Sequence, residues 1–156
     1  MSLRLSLAFL APAFLLAGCS RKTAPEPYVP GLGEIMTLSQ MRHTKLWLAG
    51  EARNWDLAAY ELDELKEGFD DAARYHPTHK DVPLPIPGLI DRIMKVPLAD
   101  LGKAIQARDQ KAFEAAYDSL TAGCNSCHQA ANFGFNVVRR PAGNPFPNQV
   151  FAPVAR

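Results

Sequence analysis

Residues 109–128 read DQKAFEAAYDSLTAGCNSCH. Asp109 has the side chain of an N-cap, an oxygen able to accept from the first free N–H groups of a helix. Phe113, Tyr117, Leu120, Cys124 and Cys127 follow at steps of three and four, and His128 completes a step of four from Cys124. That spacing returns to one face of an α-helix. The stretch therefore predicts a helix whose last turns carry two thiols and an imidazole in one direction.

Three more segments upstream carry the same period. The first covers about residues 33–49, with Ile35, Leu38, Arg42, Leu46 and Ala49 on one stripe and Met36, Gln40, His43 and Trp47 on its neighbour. Gly50 is suited to end it. The second covers about residues 55–75. Asn54 is its N-cap, Trp55, Ala58, Leu62, Leu65, Phe69 and Ala72 form its apolar face, and His76-Pro77 stops it. After a proline-rich loop the third begins near Pro87 and carries Leu89, Ile90, Ile93, Met94, Leu101 and Ile105. Pro97 falls inside it and is expected to kink or split it. No segment alternates with the period of a strand. The expectation is an all-α chain, an antiparallel four-helix bundle over residues 32–131, with short connections except between the second and third helices. Residues 132–156 lose the period and read as an irregular C-terminal extension, which either packs along the bundle or binds a partner.

Cys124-Asn125-Ser126-Cys127-His128 is the spacing of c-type haem attachment. Two thiols and an imidazole on one helical face place both thioether bonds and the iron ligand on the same side of a haem. A redox Cys-x-x-Cys opens a helix beside a strand, whereas here the motif closes a helix. A zinc site needs a fourth ligand and usually a second ligand pair, with His43, His76 and His79 as the available donors.

A haem motif at the end of the last of four helices resembles the class II c-type cytochromes, cytochrome c′ and its low-spin, methionine-ligated relatives. The resemblance spans about residues 32–130, and its one specific motif is Cys124 to His128. It implies haem c held between helices near one end, Cys124 and Cys127 as thioether positions, His128 as proximal iron ligand and frequent homodimers. Family members commonly end soon after the motif, whereas this chain continues to Arg156, and Pro97 interrupts the third helix.

The start of the chain reads as an address. Arg4 precedes an apolar run over residues 5–17, too short to span a bilayer. It ends in Leu16-Ala17-Gly18-Cys19, which resembles the lipobox of bacterial lipoproteins and implies cleavage after residue 18 and lipidation of Cys19. An ordinary secretory signal is the alternative. Residues 19–31 are proline-rich and suit an extended tether. The expected location is exported, periplasm-facing and lipid-anchored to a bacterial membrane. With Cys19 lipidated, the other two of the three cysteines are left for haem.

The 17 basic and 16 acidic residues nearly cancel, which argues against nucleic acid as a partner. Half of the acids, Glu51, Asp56, Glu61, Asp63, Glu64, Glu67, Asp70 and Asp71, lie in one segment. They read as a solvated helix face or as a docking surface for a basic redox partner.

The other face of the iron decides between electron transfer and gas binding. In an antiparallel bundle the N-terminal half of the first helix meets the end of the last, and Met36 is the candidate sixth ligand there. Plain core packing is the alternative role for Met36. His43 is a second candidate two turns on, and His76 and His79 are weaker ones. Arg42, Arg139 and Arg140 are candidates to pair with haem propionates. Three functions follow: a single-electron carrier, a five-coordinate haem protein binding nitric oxide or carbon monoxide, and a haem-free structural lipoprotein. No nucleophile triad, paired carboxylates or distal acid–base pair is evident, so the chain is not read as an enzyme.

Overall fold

The computed structural model describes residues 26–80 and 82–154. The leader, Cys19 and most of the tether lie outside the described residues. Four helices make up the regular structure: α1 Leu32–Glu51, α2 Trp55–Tyr75, α3 Ile86–Ala107 and α4 Gln110–Ala130. No strand occurs among the described residues. No described helix is long and apolar enough to cross a membrane.

Side-chain caps start two of the helices. Asn54 accepts from Leu57 N at 3.3 Å and Asp109 from Ala112 N at 3.0 Å. The stops are more unusual. Arg53, Arg108 and Asn132 adopt left-handed backbone with φ of 56°, 55° and 64°. Each lets the following residue's N–H reach back to a late carbonyl: Asn54 to Ala49, Asp109 to Ala104, and Phe133 to His128. This is the helix stop usually built on glycine. Arg53 thus performs the role expected of Gly50, which remains helical. Gly50 has a different function: a Cβ there would stand 2.1 Å from the Phe113 ring. It lets α1 lie against that aromatic.

The buried face of α2 is the expected one: Ala58, Leu62, Leu65, Phe69 and Ala72 are buried, with Trp55 half-buried beside them. On α1 the stripe through Leu38 and Arg42 faces the core only at Ile35, Leu46 and Ala49. Leu38 is exposed, and the buried positions are Ile35, Ser39, His43, Leu46, Trp47 and the turn after it. Arg42 sits at the edge and bonds two carboxylates of α2, Glu61 at 3.1 Å and Glu64 at 2.7 Å. Glu61 is fully buried, so the acidic run is not wholly a solvated face. A carboxylate taken out of water needs such a partner.

α3 is not split at Pro97. It is helical from Ile86 to Ala107. Proline removes the N–H that would bond the Ile93 carbonyl. The helix is kept because both sides of the proline are anchored: Leu89 and Met94 before it and Leu98 and Leu101 after it are all buried.

Beyond α4, residues 132–154 contain no helix or strand, yet they lie against the helices. Phe151 is buried in the main core, with Phe146 packed against it, and the Phe151 carbonyl accepts from Asn54 Nδ2 at 3.1 Å. Arg140 bonds Asp118 and stacks 4.2 Å over the Trp47 ring.

Two substitutions separate the roles of these turns. Gly50→Ala should destabilise the protein by about 2 kcal/mol through overpacking against Phe113. Arg108→Gly should stabilise it by about 1 kcal/mol, because Arg108 is exposed and glycine removes the left-handed strain. Denaturant midpoints of the two variants and the wild type measure both effects.

Candidate cofactor site

One end of the bundle is closed and the other is open. Between α1 and α4 the closed part is aromatic. Trp47 packs on Phe113 and Tyr117, with ring centroids 6.3 and 4.9 Å apart. One turn on, the His43 ring lies 4.5 Å from that of Tyr117 and bonds Thr121. The helices are therefore antiparallel, with Trp47 opposite Tyr117 and His43 opposite Thr121. Extending that register by three and then four residues sets Gln40 level with Cys124, and Met36 level with His128. Past His43 the helices no longer fill the space between them.

The result is a cavity of about 530 Å³, within the usual range for a small-molecule or cofactor site. Cys124, Cys127 and His128 line it from α4, and Met36, Gln40 and His43 from α1. Leu65 and Phe69 of α2, Ile86, Ile90 and Met94 of α3, and Val82 supply apolar walls. His79 and Lys80 stand at the loop side, and Phe133, Asn136 and Val138 border it from the C-terminal segment. A second depression, of about 480 Å³ between α3 and α4 around Ala104 and Ala116, holds none of the motif side chains.

Cys124 and Cys127 are half-buried thiols not joined by a disulfide. Burial, with a smaller push from Cys127, raises the Cys124 pKa to about 12, and burial also raises that of Cys127. Both are protonated at neutral pH, whereas redox Cys-x-x-Cys pairs work through a lowered thiol pKa. Among the described residues no three His, Cys, Asp or Glu side chains gather as a metal would need them. His128 is different from a lone surface histidine. Its Nδ1 lies 2.6 Å from the Asn136 carbonyl. A carbonyl only accepts, so Nδ1 carries a proton, and in the neutral imidazole the lone pair is then on Nε2.

The arrangement fits a haem attached through Cys124 and Cys127. The thiols, the imidazole and the apolar walls share one cavity, which Met36 also lines. The three arginines expected near propionates are elsewhere. Arg42 is held by Glu61 and Glu64, Arg140 by Asp118, and Arg139 is exposed and outside the cavity lining. Lys80 and His79 are the cationic or titratable groups the fold brings there instead. His76 is turned to the Pro30 carbonyl at 2.8 Å. Sequence reasoning also missed Met94 as a cavity residue. It comes close because Gly123 has no side chain: a Cβ there would stand 3.0 Å from Met94 Sδ. The glycine just before Cys124 was the available signal.

His43 lines the cavity but is already engaged. Its Nε2 is 2.9 Å from Thr121 Oγ1, and its Nδ1 is 2.9 Å from the Tyr117 hydroxyl. Thr121 donates to the Tyr117 carbonyl, so its oxygen is free to accept from Nε2–H. The Tyr117 hydroxyl donates toward His43 Nδ1 and the His43 carbonyl. The network is satisfied with a neutral imidazole. Iron ligation by His43 would break one of these bonds.

Burial lowers the His43 pKa from 6.5 to about 4. Between those values the unfolded chain takes up a proton at this histidine and the folded chain does not. Its stabilising contribution is thus complete above about pH 6.5 and is lost as the pH falls through 4, an effect of about 3 kcal/mol at most. Urea midpoints at pH 7.5 and 4.5 should fall less with acidification in His43→Gln than in the wild type.

No protein-family model matches the sequence, and neither characterised proteins nor solved structures give a match.

Proposed function

We propose that this chain is a c-type cytochrome resembling class II, exported and lipid-anchored through Cys19, that carries single electrons. One observation carries the reading: Cys124, Cys127, His128 and Met36 line one cavity, and the α1–α4 register, extended from His43 and Thr121, runs Met36 level with His128. Haem would supply a one-electron iron couple there. Each thiol would add across a vinyl group, the S–H proton passing to the neighbouring vinyl carbon, with no net oxidation. His128 would bind through Nε2, the nitrogen that its bond to Asn136 leaves with a lone pair. Met36 would offer its thioether as sixth ligand, which favours electron transfer over gas binding. Leu65, Phe69, Ile86 and Ile90 would exclude water. Glu67 and Asp70 flank Phe69 on α2 and are exposed, so a basic partner protein would dock on the helix turn bordering the site.

The test is production alongside the c-type maturation machinery, followed by a pyridine haemochrome assay. One covalent haem per chain is expected, and none in the double variant Cys124→Ala/Cys127→Ala. The wild-type ferrous spectrum should be low-spin, and Met36→Ala should convert it to a high-spin form that binds carbon monoxide. A high-spin, carbon monoxide-sensitive wild type would replace electron transfer with gas binding. A wild type without haem would leave only the structural-lipoprotein reading.

A further inference from the structure

The C-terminal segment reaches His128 by a defined path. The left-handed residue Asn132 ends α4, and a turn closed by Asn136 N–H on the Phe133 carbonyl follows at 2.9 Å. That turn delivers the Asn136 carbonyl to His128 Nδ1. Two residues later the main chain of Val138 is held at both of its polar groups by one side chain. Asn125 Oδ1 accepts from Val138 N–H at 2.8 Å, and Asn125 Nδ2 donates to the Val138 carbonyl at 2.9 Å. Two residues later again, Arg140 bonds Asp118 and the Glu114 carbonyl. Asn136 and Val138 thus bond α4 through their main chains and Arg140 through its side chain, whereas Val137 and Arg139 are exposed.

Asn125 is one of the two variable positions inside the Cys-x-x-Cys spacing. Its amide works in only one orientation here, because one end must accept and the other donate. The clasp therefore fixes the distance between the motif and the carbonyl that bonds His128.

We infer that the C-terminal segment is a positioning strap for His128, fastened by Asn125, that holds the imidazole in its Nδ1–H form and reserves Nε2 for the cavity. The tautomer stands on hydrogen bonding alone, and only its consequence at iron rests on the cytochrome reading. A ligating histidine whose other nitrogen donates to a carbonyl is a more basic ligand with a fixed ring orientation. The strap then favours ferric over ferrous iron.

The test compares the wild type with Asn125→Ala and Val138→Pro, each made as the full chain under maturation conditions. The first removes the clasp from α4 while leaving a good helix former. The second removes the Val138 N–H and leaves α4 untouched. In the wild type, a ¹⁵N–¹H correlation of the reduced, histidine-labelled protein should show a His128 Nδ1–H protected from solvent exchange. Exchange should accelerate at least tenfold in both variants. The ferric-to-ferrous equilibrium should shift on the order of tenfold toward ferrous, a rise of about 59 mV for a one-electron couple. Asn125→Asp, which keeps the acceptor for Val138 N–H, should fall between. Lower melting temperatures with unchanged exchange and potential would overturn the proposal, since the segment would then only pack. A wild type without covalent haem would sink the cytochrome reading, and the exchange measurement on the same chain would still decide this one.

Discussion

The contact of His43 and Trp47 with Phe113, Tyr117 and Thr121 sets the geometry on which the site depends. It joins the first helix to the last across the two helices between them, and it fixes both their direction and their register. Large rings fill the space between α1 and α4 as far as His43. Beyond that point α1 offers Gln40 and Met36, and α4 offers two thiols and an imidazole, none of which bridges the gap. The cavity begins where the aromatic filling ends. Gly50 belongs to the same constraint: a side chain there would meet Phe113 and force the helices apart at the closed end, and the register at the open end would have no fixed reference.

Polar groups buried along this seam are matched locally. His43, Tyr117 and Thr121 satisfy one another and two backbone carbonyls, so the imidazole remains neutral at the cavity wall. On the opposite flank of α1, Arg42 accompanies Glu61 into the interior. Such a pair is weak support for stability in itself, but removal of either partner leaves an uncompensated charge. The helix is therefore fastened on one side by a neutral network and on the other by an ion pair, with the cavity near its N-terminal end.

Much of the fold was legible because local chemistry agreed with tertiary packing. Asn54 and Asp109 cap as their side chains suggest, and the apolar face of α2 needs no correction. α1 was legible only in part, because its buried surface mixes core and cavity positions. Ile35, Leu46 and Ala49 of one stripe and His43 and Trp47 of the other are buried, while Leu38 is exposed and Ser39 takes an inward place that hydrophobic period does not report. Pro97 does not split α3, since burial on both sides outweighs one lost hydrogen bond. The Cys-x-x-Cys-His motif and Met36 were visible as residue types at a spacing, and the cavity brings them together. Asn125 and Asn136 were invisible for a different reason. One is a variable position within a motif, and the other acts through its backbone carbonyl, which no side-chain pattern reports. Cys19 belongs to residues the structure does not describe.

The seam between α1 and α4 also bears on the order of folding. α1 with α2, and α3 with α4, are helical hairpins closed by turns of a few residues, and each forms from contacts near in sequence. The His43–Tyr117 and Trp47–Phe113 contacts require the much larger loop between the hairpins to close. The cavity has one wall in each hairpin, Met36 in the first and Cys124 to His128 in the second. Neither half contains a site alone. The C-terminal segment spans the joint between them: Val138 and Arg140 bond α4 of the second hairpin, and the Phe151 carbonyl accepts from Asn54 of the first.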